Sequence, residues 1–125
     1  MSSAIVDRQL ADLSKFKALA AEIAEDGFKH FVLLATGSSS LCAEVFRCTF
    51  GKQANAPELL VLDSTDPAQV AAVRAKIDPA RTLFCISSKT GTEFEVGFFL
   101  RHFLEETKLG GDHFIAITEA GSPLD

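Results

Sequence analysis

Ser87, Ser88, Lys89, Thr90, Gly91 and Thr92 place four hydroxyls, one ammonium and one glycine in six consecutive positions. Before them runs a set of β-formers, Thr82-Leu83-Phe84-Cys85-Ile86, and after them comes a helix start. A turn of this kind, at the carboxyl end of a parallel strand, gathers free backbone N–H groups, hydroxyl donors and the positive end of a helix. In outline it is a phosphate site. A second hydroxyl-rich stretch, Thr36-Gly37-Ser38-Ser39-Ser40, follows another apolar run, Phe31 to Ala35. Both stretches also have a plainer reading. Thr90-x-x-Glu93 and Thr92-x-x-Glu95 fit a capping box, and serines cap helices without any ligand. Glu93 speaks against an anion, because it brings negative charge to the place where one would sit.

The elements that must position these turns follow from periodicity. Leu10, Leu13, Phe16, Leu19, Ala20 and Ile23 form one apolar stripe on a helix from about Ile5 to Asp26, which is expected to pack, and Gly27 stops it. Phe31 to Ala35 is a continuous apolar run, as a strand covered on both faces requires. Helical spacing returns from Leu41 to Phe50, and a loop from Gly51 to Pro57 leads to a second strand, Leu59 to Leu62. Asp66-Pro67-Ala68-Gln69 is a helix start with its cap at Asp66; the helix runs to Ile77, and Asp78-Pro79 ends it. After the third strand, a helix from Thr92 to Lys108 carries Phe94, Phe98, Phe99, Leu100, Phe103 and Leu104, an apolar face broader than one sheet contact needs. Gly110-Gly111 closes it, and His113 to Thr118 forms a fourth strand. Gly121 to Asp125 reads as a turn that opens another βα connection.

Strands separated by helices call for an α/β fold, a three-layer αβα sandwich on a parallel sheet of four or five strands with right-handed crossovers. The expected order is 2-1-3-4, of flavodoxin-like or Rossmann-like type. It makes strands 1 and 3 neighbours and sends their helices to opposite faces. The crevice between their turns is then the switch point at which such folds bind ligands. There the two hydroxyl-rich turns meet. The chain has no G-x-G-x-x-G and no Walker sequence, and Asp63 lacks the glycine fingerprint of a ribose-binding acid, so a nucleotide binder is the weakest reading.

Length and composition set the limits. One domain spanning residues 1–125 is long enough to bury about two-thirds of its unfolded surface. With 47% apolar residues it is a packed globule. A net charge of −5 provides no basic field for nucleic acid or an anionic membrane. No apolar run reaches the roughly 18 residues of a membrane span, and the amino terminus lacks a signal peptide's order. Cys42, Cys48 and Cys85 show no metal spacing and read as reduced cytoplasmic thiols. No metal or other cofactor is expected.

The pieces Phe31 to Leu41, Val61 to Pro67, Ser87 to Thr92 and His113 to Thr118 resemble the sugar-isomerase (SIS) domain of the glucose-6-phosphate isomerase family. The likeness is strongest to the bacterial form fused behind a transaldolase. It covers nearly the whole chain, in order and in spacing. The resemblance implies a first SIS domain, part of a longer isomerase of glycolysis and gluconeogenesis, that takes the phosphate of glucose 6-phosphate or fructose 6-phosphate. By the same resemblance Ser39, Ser88, Lys89, Thr90 and Thr92 hold the phosphate, and Gly37, Ser40 and Glu95 border the sugar. Association with a second copy or a second SIS domain is also implied.

Some positions depart from that pattern. Ala35 and Ser38 stand where the family is richer in glycine, and Glu93 stands where it has a further threonine. Aldose–ketose isomerisation also needs a base to move a proton between adjacent carbons and an acid–base group to open the ring. The family's glutamate, histidine, lysine and arginine for this work have no counterparts here. His30 and His113 fall at the amino ends of strands and His102 within a helix, so no catalytic residue is assigned. Two functions follow: the phosphosugar-binding part of an isomerase, inactive alone, or a non-catalytic SIS module for sugar-phosphate sensing or protein pairing.

Overall fold

The computed structural model describes residues 10–125. Its helices are α1 (Leu13–Glu25), α2 (Ser38–Phe50), α3 (Pro67–Lys76) and α4 (Phe94–Thr107). They alternate with strands β1 (His30–Ala35), β2 (Glu58–Leu62), β3 (Thr82–Ser87) and β4 (Phe114–Ile117). All strand pairs are parallel, and the sheet order is β2-β1-β3-β4. Among the described residues four strands make the sheet, in the order that the alternation of strands and helices predicts.

The central pair is buried on both sides, which explains its unbroken apolar sequence. Val32, Leu34, Phe84 and Ile86 project to one face with Leu62, where Val70 and Ile77 of the α3 region and Val96, Phe99 and Phe103 of α4 cover them. Leu33, Ala35 and Cys85 project to the other, against Ala43 of α2. The helices that follow β1 and β3 thus lie on opposite faces. Phe84 anchors the first face. Its ring lies 4.9 Å from that of Phe103 and 5.1 Å from that of Phe114. Such aromatic pairs contribute about 0.5–1.5 kcal/mol each beyond the area they bury.

Local chemistry sets the boundaries. Asp66 caps α3 by accepting from the Ala68 N–H at 2.7 Å, with Pro67 at the first helical position. Asp78 caps a short 3-10 turn in the same way, and the buried Thr82 hydroxyl donates to the Asp78 carbonyl at 2.6 Å. Gly27 takes φ +76° just beyond α1.

Two expectations change. The apolar stripe of α1 does not pack: no residue of α1 is buried, and Leu13, Phe16 and Leu19 are exposed. A stripe is buried only where a surface faces it; α2 likewise leaves Leu41, Val45, Phe46 and Phe50 exposed. The part of this helix before Leu10 lies outside the described residues. The helix starts also shift. Gly37, not a serine, is the N-cap of α2, and Glu93, not Thr90 or Thr92, is the N-cap of α4.

Candidate functional site

Parallel pairing aligns the carboxyl ends of β1 and β3, with Ala35 opposite Ser87. The two hydroxyl-rich turns therefore leave the sheet side by side. In the first turn Gly37 adopts φ +61°, ψ −131°, a conformation for glycine alone, and the chain drops directly into α2. Ser38, Ser39 and Ser40 become the first three helical residues, and no side chain caps their N–H groups. Those donors point past the helix end, where the macrodipole is positive. Ser39 is partly buried at this end. Ser40 is buried, and its hydroxyl donates to the Gly37 carbonyl at 2.9 Å, so its proton serves the turn.

The second turn is tied more closely. Ser88 is buried; its N–H donates to the Ile117 carbonyl, and its hydroxyl accepts from the Gly91 N–H at 2.8 Å. The same hydroxyl donates to the carboxylate of Glu93. Thr90 and Thr92 share a hydroxyl–hydroxyl bond of 2.8 Å, and Thr90 reaches Glu93 at 3.4 Å. The Ser88 hydroxyl foremost, then the Glu93 N–H, the Thr90 hydroxyl and the Thr92 N–H, hold the Glu93 carboxyl below the usual carboxylate range. Lys89 is exposed; its ammonium lies 3.6 Å from Glu119. Glu95 is exposed in the first turn of α4.

The structure thus brings Ser88, Thr90 and Thr92 together around one carboxylate. Gly37, Ser39 and Ser40 form the neighbouring helix end, and Lys89 and Glu95 stand at the rim. One contribution escapes the sequence reading. The segment after β4 folds back over the second turn: Glu119 N–H and the Thr118 hydroxyl both donate to the Lys89 carbonyl, at 3.1 and 3.4 Å. A Cβ on Gly91 would lie 3.1 Å from Ser122 Oγ and 3.2 Å from Pro123. The signal was the sheet order itself, which puts the end of β4 beside the end of β3.

Other ionisable groups are engaged elsewhere. His113 Nδ1 meets the Thr82 carbonyl at 3.0 Å at the amino edge. His102 and Arg74 both pair with Glu106, beside a groove of about 590 Å³ between α3 and α4. Glu44 pairs with Arg47, which holds its carboxyl below the usual range. No helix among the described residues is long and apolar enough to cross a membrane.

No family model matches the chain. Among curated proteins it is similar to glucose-6-phosphate isomerase of Chlamydia felis, with 33% identity over 105 residues, 80% of this chain and 20% of that protein. The isomerase of Campylobacter jejuni is 33% identical over 101 residues, 77% of this chain and 25% of its own length. Among solved structures, a glucose-6-phosphate isomerase from Chlamydia trachomatis covers 100% of this chain and 25% of its own, with 28% identity and a TM-score of 0.74. A hypothetical protein from Thermus thermophilus matches 90% of this chain with 25% identity and a TM-score of 0.69. The chain spans about a fifth to a quarter of the length of these isomerases. It is homologous to a fragment of glucose-6-phosphate isomerase.

Proposed function

We propose that this chain is the phosphosugar-binding, SIS-type domain of a glucose-6-phosphate isomerase of the transaldolase-fused kind. In that protein it would serve the interconversion of glucose 6-phosphate and fructose 6-phosphate in the cytoplasm, within glycolysis and gluconeogenesis. One observation carries the reading: the Ala35–Ser87 pairing sets two donor-rich turns level at the carboxyl edge of the sheet. The N–H groups of Ser38 to Ser40 with Ser39, and the Ser88–Thr92 turn with Lys89, would take the phosphate from two sides. Gly37, Ser40 and Glu95 would border the sugar. Acid–base groups for proton transfer would come from outside residues 1–125, so these residues alone would bind but not turn over substrate. The exposed Phe46, Phe50, Phe94 and Phe98 suit a second copy or a second SIS domain.

An amide NMR titration with 6-phosphogluconate, with sulfate as control, tests this reading. Shifts confined to Ser38–Leu41 and Ser87–Glu93, larger than those with sulfate, are expected. No response at millimolar ligand, in the chain and in Glu93→Thr alike, would overturn it. A coupled assay should show no isomerase turnover by the pure chain; clear turnover would refute the assignment of catalysis to absent residues.

A second reading, a non-catalytic module for sensing or protein pairing, is favoured by Glu93, which places a negative charge among the donors that a phosphate requires. Sedimentation tests the association that both readings expect, and a clean monomer at high concentration counts against it.

A further inference from the structure

We infer that Glu93 is a resident anion of the second turn, which competes with an incoming phosphate for the turn's donors and sets which ligands the turn accepts. This inference rests on the phosphate reading of the turn. The geometry that carries it is the arrangement around one carboxylate. Glu93 accepts from the buried Ser88 hydroxyl and from the Thr90 hydroxyl. Both hydroxyls converge on one carboxylate oxygen, Oε2, so Oε1 keeps acceptor capacity.

A phosphate held by the second turn would need these same hydroxyls, and two anions cannot share them. The nearby cation does not relieve the conflict, because the Lys89 ammonium lies against Glu119 rather than Glu93. The Ser88 hydroxyl is the pivot. It receives the Gly91 N–H while it donates to Glu93, so the carboxylate also helps to hold the turn in shape. Glu93 can leave without unfolding its helix. It is the N-cap of α4, with extended backbone at φ −66°, ψ 128°, and it is only partly buried. A dianion must therefore expel Glu93 before it binds, whereas a ligand with neutral hydroxyls at this edge can leave it in place and use it as an acceptor.

Three proteins test the competition: the chain itself, Glu93→Thr and Glu93→Ala. Each is titrated with 6-phosphogluconate and with inorganic phosphate by calorimetry, at one pH and ionic strength. Both variants should bind each ligand at least tenfold more tightly than the parent. The Glu93 side-chain carbonyl carbon of the parent should move by NMR towards the position of a solvated carboxylate at saturation. Equal binding by all three proteins, or a bound parent with an unmoved Glu93 carbon, overturns the competition and leaves the phosphate reading standing. Binding by none of the three overturns the phosphate reading, and the competition with it.

Discussion

Ala35 and Ser87 are register partners at the last paired position of β1 and β3. Because the strands are parallel, the turn after each begins at the same height above the sheet, and the helices that follow diverge to opposite faces. A ligand at this edge would therefore meet backbone donors from two helix ends and hydroxyls from one turn. Either turn alone offers only a cap. Their juxtaposition is a property of the topology, fixed by the order β2-β1-β3-β4.

Gly91 and Gly37 both have positive φ, +69° and +61°, but only Gly91 is crowded. Ser122, Pro123 and Leu124 lie within 3.3 Å of its missing Cβ, and nothing lies within 4 Å at Gly37. Gly37→Ala should lose about 1–3 kcal/mol from backbone strain alone. Gly91→Ala should lose more, and should also shift the amides of Thr118 to Leu124 in an NMR spectrum. Urea unfolding gives the first quantity. Unmoved amides in Gly91→Ala would show that the last segment does not rest on this turn.

Phe84 is fully buried and packs against Phe103 and Phe114, whereas Phe94, the first residue of α4, is 81% exposed. Phe84→Ala should cost about 3–5 kcal/mol, the range for emptying an aromatic core site. Phe94→Ser should stay within about 0.5 kcal/mol of the parent. Denaturant midpoints at constant slope compare the two. A large loss at Phe94 would mean that its ring is already covered in solution.

Much of this fold was legible because its signals are local. Four apolar runs bounded by Gly, Pro and Asp identified the strands, and Asp66-Pro67 identified the start of α3. What stayed hidden depends on tertiary neighbours. Glu93 fits a capping box by spacing, yet it serves as the N-cap itself and its carboxylate accepts from the hydroxyl of Ser88, five residues earlier. The stripe of α1 has the period of a packed helix, but period does not say whether a facing surface exists. Ser122 joined the site through the neighbouring strand, beyond any sequence window.

The three thiols should separate by reactivity. Cys42 and Cys48 are exposed on α2, whereas Cys85 lies fully buried in β3. Burial pushes the Cys85 thiol up to about 12, so the nucleophilic thiolate is scarce at neutral pH as well as shielded. With an aromatic disulfide reagent at mildly alkaline pH, two thiols should react promptly and the third only after denaturant is added. Prompt reaction of all three would show that the sheet opens on the time scale of the assay.

Glu93 makes the stability of the turn depend on acid. Its folded carboxyl lies below the usual range, because the Ser88 hydroxyl and the Glu93 and Thr92 N–H groups favour the charged form. The folded state therefore binds this proton less readily than the unfolded chain does. The stabilisation is fully present above the ordinary carboxylate range and is lost as pH falls through the lowered folded value. Lys89 pairs with Glu119, so the Glu93 shift rests on hydrogen bonds and should survive added salt, which screens exposed ion pairs. NMR titration of the Glu93 side-chain carbonyl carbon, with and without salt, measures both properties. Ser88→Ala removes the leading donor and should return the midpoint towards an ordinary glutamate. A midpoint that stays low in Ser88→Ala would assign the shift to the Thr90 hydroxyl and the backbone N–H groups, and one that rises with salt would assign it to charge.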